Sequence, residues 1–516
     1  MKPIKILWID DEIDLLNLHL KFLEAKGYQV ETASNTIDAE DVLKNQDFDI
    51  IFLDENMPGM TGLNFLSKIQ QLQPFTPVVM ITKVEDERIM EEAIGSKISD
   101  YLIKPVNPKQ ILLVIKKHVQ RKTIISEKTI ESYRKNFSFL AMDILNAKDI
   151  NAWIRIYKQL VDWELELQNT SQSDLIEIIE SQKEDANNEF AKFVKSNYLD
   201  WVNASTSPFF LKDVFRRRIF PTLQEGKKIF LIVIDNLRYD QWKMLQLLIK
   251  DDYKTLKEEI ILSILPTATQ YARNAFFAGI FPVYIKKQYP KLWKDEVESG
   301  NKNDFEDELL RLQIAKESKK IDFNYYKIFN ESHSKKVIDN LASLQNKSLN
   351  VLVFNFVDML SHAKTSVQMV KELAKDEAAY RSLTQIWFEH SYLNTLFKRL
   401  KAYDDVEIFL TTDHGSILVK NPIKIVGDRE TSTNLRYKQG KNLNFKSKKV
   451  FILNKPQEAG LPVSHLTAMY VFAQGRDFFV YPNNYSYFVN YYRDTFQHGG
   501  ISLEEMLIPL VHLVKK

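Results

Sequence analysis

Asp413 and His414 stand side by side in Thr411-Thr412-Asp413-His414-Gly415, directly after the apolar run 406–410. A short apolar run reads as a buried strand, and the glycine ends it at once. Carboxylate and imidazole are ligands that zinc takes, and open α/β sheets gather their ligands at the carboxyl ends of strands. The same half of the chain repeats the pattern. Asp235 closes the run 228–234, and the run 260–264 leads into Leu265-Pro266-Thr267-Ala268-Thr269. The run 350–357 ends in Asp358-Met359-Leu360-Ser361-His362, and Gln497-His498-Gly499-Gly500 precedes the closing segment. Asp358 and His362 are four apart, a spacing that puts both on one face of a helix. Asp235, a threonine, Asp358, His362, Asp413, His414 and His498 are about what two zinc-like ions require, with positions left for a substrate. Such a pair suits phosphoryl transfer, with one ion activating a threonine hydroxyl and the other holding the leaving oxygen. Singly, each residue is a common helix cap or a hydrogen-bonded histidine; their recurrence at separate strand ends is what points to chemistry.

A second constellation lies in the first 120 residues. Asp10 and Asp11 follow one apolar run, Asp54 ends another, Thr82 a third, and Lys104 follows a fourth and precedes Pro105. Three carboxylates on one strand-end face repel one another unless a cation joins them, and Mg²⁺ suits an all-oxygen setting. Asp54 is then placed to accept a phosphoryl group, with Mg²⁺, Lys104 and Thr82 balancing the added charge. One such residue is easily a cap; five over four strand ends are not.

The elements that must position these residues follow from periodicity. Strand runs 4–9, 28–32, 49–53, 77–82 and 98–103 alternate with helical patterns 13–26, 37–45, 63–73, 86–94 and 108–120. That alternation predicts a doubly wound, flavodoxin-like α/β sheet over 1–120. Residues 121–204 contain no glycine or proline and carry apolar residues at helical spacing, Phe137, Met142, Trp153, Ile178 and Phe190 among them. Breaks near 147–149 and 169–172, with Asp149 and Ser171 or Ser173 as caps, predict a bundle of three helices. Residues 205–516 hold the four strand ends of the first constellation and predict a second, larger α/β domain.

Composition bounds the rest. Net charge over 516 residues is +2, which argues against a nucleic-acid coat. The sharpest basic cluster, Arg216-Arg217-Arg218, reads as a solvated face, and no DNA-binding domain is expected. There is no cysteine, so a metal must use histidine, carboxylate or hydroxyl. No apolar run is long enough for a membrane span, and the N-terminus enters a strand without a signal peptide, so a cytoplasmic protein is expected.

Residues 1–120 resemble the receiver domain of two-component response regulators, on Asp10-Asp11, Asp54 with Met57-Pro58-Gly59, Thr82 and Lys104-Pro105. The resemblance implies phosphorylation of Asp54 by a sensor histidine kinase, with Thr82 and Tyr101 shifting in response. It also implies pairing of two receivers through the fourth and fifth helices, a phosphorylation-dependent homodimer. Lys83 departs from the family, which has a small residue there, and its bulk or charge would alter phosphotransfer or the lifetime of the phosphoryl group.

Residues 205–516 resemble the PglZ family of the alkaline phosphatase superfamily. The resemblance rests on Val233-Ile234-Asp235-Asn236-Leu237-Arg238-Tyr239-Asp240-Gln241-Trp242, Leu265-Pro266-Thr267-Ala268-Thr269, Asp358 with His362, Thr412-Asp413-His414-Gly415 and His498-Gly499-Gly500. It implies Asp235, Thr269, Asp413 and His414 for one zinc ion and Asp358, His362 and His498 for the other. Thr269 is the implied nucleophile, because the superfamily's threonine follows a turn and opens a helix; Thr267 is the reserve. With no cation beyond Arg273 in view near Thr269, the reading favours phosphodiesters, nucleotides or short oligonucleotides, over dianionic monoesters. The order receiver, bundle, PglZ domain is similar to response regulators linked to type IX secretion in Bacteroidetes. The rival expectation is a phosphorylation-controlled adaptor that binds a sigma factor or a secretion-motor component, its metal site structural or ligand-sensing.

Overall fold

The computed structural model describes all residues except 1–2, 75, 84–97, 169–172, 205–206, 318–319, 429–430, 447–448, 464 and 466, and the side chains of 120–128 and 173. It divides into two compact units, Met1–Ser132 and Tyr133–Lys516.

In the first unit, β1 (Lys5–Ile9), β2 (Gln29–Ala33), β3 (Ile50–Asp54), β4 (Val78–Thr82) and β5 (Asp100–Ile103) form a parallel sheet in the order β2-β1-β3-β4-β5. The central strands read as unbroken apolar runs because both faces are covered. Ile6, Trp8, Phe52 and Ile81 face one core, and Leu7, Ile9, Leu53 and Met80 the other. Helices Asn17–Ala25, Thr36–Asn45, Gly62–Leu72 and Pro108–Ile115 are described. Asn35 caps the second of these and Asn107 forms a capping box on the last. The expected first helix starts instead as a 3₁₀ turn, Ile13–Leu16. The expected helix 86–94 lies outside the described residues, as does the pairing face it would lend. Gly62 is required where it stands: a Cβ there would meet the Asp54 carbonyl oxygen at 2.4 Å.

The linker consists of three helices, Arg121–Asn146, Ile150–Gln168 and Ser173–Asn203. Asp149 caps the second, its Oδ1 accepting from the Ala152 amide at 2.9 Å; Ser171 and the Ser173 side chain fall outside the description. Trp153, Tyr157 and Phe190 are buried, as an aromatic core stripe should be. Phe137, Met142 and Ile178 are not: they stay exposed, and Phe137 and Ile178 line an open groove.

The main sheet of the second unit has six strands. Strands β6 (Lys228–Ile234), β8 (Phe323–Ile328), β9 (Leu349–Phe354) and β10 (Val406–Thr411) run parallel. The closing strand Leu507–Lys515 is antiparallel to β10 and to β7 (Tyr253–Leu262). Two of these strands were not foreseen. Phe323–Ile328 is a half-buried edge whose sequence does not alternate, and the closing strand joins the sheet only through long-range pairing. The strand expected over 350–357 stops at Phe354, and helix Phe356–Ser366 follows, so Asp358 lies in a helix's first turn rather than at a strand end. No helix among the described residues is long and apolar enough to cross a membrane.

Candidate functional site

Asp235 follows β6, and Asp413 and His414 follow β10, its sheet neighbour, so adjacent parallel strands deliver all three to one edge. Thr269 is the first residue of helix Thr269–Ala278. Asp358 and His362 share a face of helix Phe356–Ser366, and His498 follows the short strand Phe496–Gln497. Asp235, Asp413 and His414 bring ligand atoms within 4.8 Å of one another, as do Asp358, His362 and His498. Thr269 Oγ1 lies 3.1 Å from His414 Nε2 and 3.4 Å from Asp235 Oδ1. The two groups adjoin: the His414 and His498 rings stack at 4.2 Å, and Asn236 donates from its amide to Asp413 Oδ1 and from Nδ2 to Asp358 Oδ1. All seven residues singled out from the sequence therefore meet.

The protonation states are set by neighbours. The Nδ1 of His414 lies 3.1 Å from the Gly415 carbonyl and that of His498 3.2 Å from the Thr267 carbonyl. A carbonyl only accepts, so Nδ1 carries the proton in both rings and each Nε2 lone pair points into the cluster. Burial lowers the pKa of His414, and lowers that of His498 further, with His414 and His362 adding to it. Burial raises the pKa of Asp235, helped by Asp413, and also that of Asp413. Arg273 offsets part of this, donating at 2.8 Å to Asp235 while its Nε holds Glu306. Asp413 Oδ2 is buried with no hydrogen-bond partner among the described residues. Neutral imidazoles, carboxylates that burial disfavours as anions and an orphaned carboxylate oxygen together fit a divalent cation.

Thr267 is committed elsewhere: its hydroxyl donates to the Gly500 carbonyl and accepts from the Gly499 amide. Thr269 instead opens onto a cavity of 360 Å³ lined also by Arg273, Lys302, Asn303, Lys327 and Asn355. Lys302 and Lys327 correct the expectation that Arg273 is the sole cation nearby. Lys302 is held by the carbonyl of Asp295, and Lys327 by that of Asn303. Nothing in a polar run such as Asn301-Lys302-Asn303-Asp304 separates a pocket wall from an ordinary loop, so these residues were not readable in advance.

In the first unit, Asp10, Asp11 and Asp54 bring carboxylate oxygens within 4.8 Å. Lys104 Nζ lies 2.9 Å from Asp10 and 3.1 Å from Asp54. Burial, then Asp10, push the Asp54 carboxyl up to about 6. Thr82 is buried at the end of β4, and Tyr101 is exposed on β5. Lys83 pairs at 2.7 Å with Glu12.

A third cluster joins the linker to the loops that follow β6 and β10. Lys183 of helix Ser173–Asn203 lies 2.7 Å from Glu164 and 3.1 Å from Glu377. Glu377 in turn accepts from Arg238, three residues past Asp235. Arg381 bridges Glu164 and Asp240. Asn187 donates to Glu504, whose carbonyl oxygen would meet a Cβ on Gly415 at 2.1 Å. Glu164, Asp240 and Glu377 are close enough to hold an ion, but here guanidinium and ammonium groups answer them.

The profile of the BREX system PglZ alkaline phosphatase-like domain matches residues 214–513. The chain belongs to the PglZ family. Ahead of this PglZ domain, a response regulator receiver domain matches 6–116 and the PorX response regulator linker domain matches 123–202. In this order they make the chain a PorX-like regulator, and a receiver implies a cognate histidine kinase and Mg²⁺ at the acidic triad. An alkaline phosphatase-like domain with a buried Asp/His cluster suggests a hydrolase. Among curated proteins, the alginate biosynthesis transcriptional regulatory protein AlgB of Pseudomonas putida is 34% identical over 116 residues, 22% of this chain and 26% of that protein. The transcriptional regulatory protein ResD of Bacillus subtilis is 30% identical over 142 residues, 27% of this chain and 59% of its own length. The match thus spans about a quarter of the former and under two thirds of the latter. Among solved structures, a CheY-like receiver from Methanospirillum hungatei JF-1 is 28% identical with a TM-score of 0.23, covering 23% of this chain and 96% of its own.

Proposed function

We propose that this response regulator is a zinc-dependent phosphodiesterase acting on nucleotides or short oligonucleotides, controlled by phosphorylation of Asp54. The working boundaries are a receiver over 1–120, a helical linker over 121–204 and the PglZ domain over 205–516. The observation that carries the enzymatic part is the position of Thr269 Oγ1, at a helix start, facing a cavity and within 3.4 Å of both His414 and Asp235.

Asp235, Thr269, Asp413 and His414 would hold one zinc ion and Asp358, His362 and His498 the other. Bound there, such ions supply Lewis acidity and lower the pKa of coordinated hydroxyls. Thr269 Oγ1 loses its proton and attacks phosphorus as the bond to the leaving alkoxide breaks; that alkoxide takes up a proton and departs as an alcohol, and water then releases the remaining phosphomonoester and restores the threonine hydroxyl. Amides at the start of helix Thr269–Ala278 face the phosphate with the positive end of the helix dipole. Arg273 holds Asp235 in place, and the Asn303 side chain fixes the Thr269 carbonyl at 3.1 Å. Arg273 and Lys327 are answered by the Glu306 carboxylate, whereas Lys302 is held only by neutral carbonyls and keeps its charge for the phosphate; one free ammonium suits the single charge of a diester.

The test is turnover of chromogenic mono- and diesters by zinc-loaded protein, wild type beside Thr269→Val. Equal turnover by the two rules out Thr269 as nucleophile.

The linker groove, 960 Å³ and lined by Phe137, Leu145 and Ile178, supports a second reading. There the protein is an adaptor whose phosphorylation controls contact with a sigma factor or secretion-motor component, its metal site structural or ligand-sensing. Two zinc ions per chain without turnover of any phosphoester favours that reading. Either role fits a cytoplasmic, phosphorylation-dependent homodimer regulating type IX secretion.

A further inference from the structure

Beside the Thr269 pocket lies a second cavity of 600 Å³, which shares Phe329 and Asn355 with it. The proposed reaction uses none of its remaining wall. That wall is mostly apolar, with Phe356, Met359, Ile386 and Trp387 along it and Glu331, Ser334 and His390 among its polar groups. Phe329, Met359 and Ile386 are each about half exposed, at 49%, 51% and 53%, an unusual cost for large apolar side chains unless something covers them. Phe356 and Trp387 lie face to face, with centroids 4.6 Å apart and planes 3° from parallel. Phe356 opens the helix that carries Asp358 and His362. Asn355, in the partition between the cavities, donates to Asp235 Oδ2 at 3.2 Å. The cavity is therefore fixed to the same framework as the cluster and adjoins the Thr269 pocket across Phe329 and Asn355.

Its shape and chemistry select an occupant. An apolar chamber adjoining the space where a phosphoester is cleaved takes an ester substituent. Its volume lies within the range of small-molecule sites and suits a base with its sugar. A rigid pair of parallel rings offers a flat wall on which another planar π-system continues the stack, whereas an aliphatic group gains nothing from that order. Base–aromatic stacking tolerates any base, because every base has a π-face.

We propose that this cavity is a nucleobase subsite, with Trp387 and Phe356 as the stacking platform for the base on one ester arm of a phosphodiester. The proposal deepens the phosphodiesterase reading and rests on it for the substrate's phosphate. It makes Trp387 a specificity-determining residue, remote from the bond that breaks.

Binding tests it without turnover. Full-length, zinc-loaded protein is titrated calorimetrically with adenosine 5′-monophosphate and with ribose 5-phosphate, which differ only in the base. The nucleotide binds roughly 10- to 100-fold tighter to the wild type; Trp387→Ala brings the ratio close to one, and Trp387→Phe, which keeps a ring, retains most of it. Ile386→Trp, a change at a half-exposed position that fills the cavity, removes the preference by obstruction and covers the case in which Trp387→Ala fails to fold. Equal binding of the two ligands by wild type, or an unchanged ratio in Ile386→Trp, overturns the proposal. Turnover of p-nitrophenyl methyl phosphate and of the p-nitrophenyl ester of thymidine 5′-phosphate separates the two readings. If both are cleaved at the same efficiency the subsite fails alone; if neither is cleaved while the base preference in binding persists, the subsite stands and the hydrolase reading falls.

Discussion

The receiver and the PglZ domain each crowd carboxylates at the ends of parallel strands and solve the repulsion differently. In the receiver, Asp10 and Asp54 share one ammonium, Lys104, and Asp11 remains in solvent. In the PglZ domain, Asp235 and Asp413 are wholly enclosed, one guanidinium answers Asp235, and Asp413 keeps an orphaned oxygen. The first arrangement suits a weakly held Mg²⁺ that must come and go around a reversible acyl phosphate, since Mg²⁺ retains waters and few protein ligands. The second suits an ion retained as part of the fold, with imidazole donors already deprotonated and oriented.

The comparison breaks most visibly at Asp413. Asp413→Asn removes the buried charge, and phosphoester turnover falls about 10⁴-fold, with zinc content dropping on metal analysis. The receiver still takes up phosphate from a small-molecule donor. If instead Asp413→Asn keeps its zinc and its rate, the enclosed cluster is not the metal centre. Next in size is Lys183→Met. It leaves Glu164, Glu377 and Glu504 short of a cation inside the protein, a loss of about 3–5 kcal/mol measurable by denaturant unfolding.

A pH series sharpens the receiver side. Because the Asp54 carboxyl is raised from its ordinary 3.8 to about 6, the folded receiver holds this proton to higher pH than the unfolded chain. Its contribution is therefore fully present below about 4, is lost as pH rises through about 6, and amounts to about 3 kcal/mol at most. Metal-free thermal melts of the full chain show this slope, and Asp54→Asn flattens it. The smallest effect belongs to Lys83→Ala. Its pair with Glu12 is solvent-exposed and screened, so the variant melts with wild type while the half-life of phosphorylated Asp54 changes.

The two regions also differed in legibility. Receiver residues sit within a few positions of their own strand runs, so Asp10, Asp54, Thr82 and Lys104 were readable from local pattern alone. The residues of the PglZ cluster were readable by type, but their convergence depends on β6 and β10 pairing side by side across a long stretch of chain. Edge strand Phe323–Ile328 was missed because a half-buried edge lacks the unbroken apolar run of a central strand. Lys302, Asn303 and Lys327 were missed because their importance comes only from facing Thr269, and local sequence does not encode that. Asp358 was placed at a strand end because the apolar run continues past Asn355, where the backbone has already turned helical.

The ion lattice around Lys183 has an evolutionary corollary. Cations Lys183, Arg238, Arg381 and Arg476 interleave with Glu164, Asp240, Glu377 and Glu504 across the seam between linker and PglZ domain. A PglZ domain grafted behind a foreign linker would keep six of those eight groups and lose Lys183 and Glu164, the two that answer them from the linker. Shuffling by recombination is thereby penalised at this seam, and the linker and its hydrolase-like partner should descend together as one heritable block.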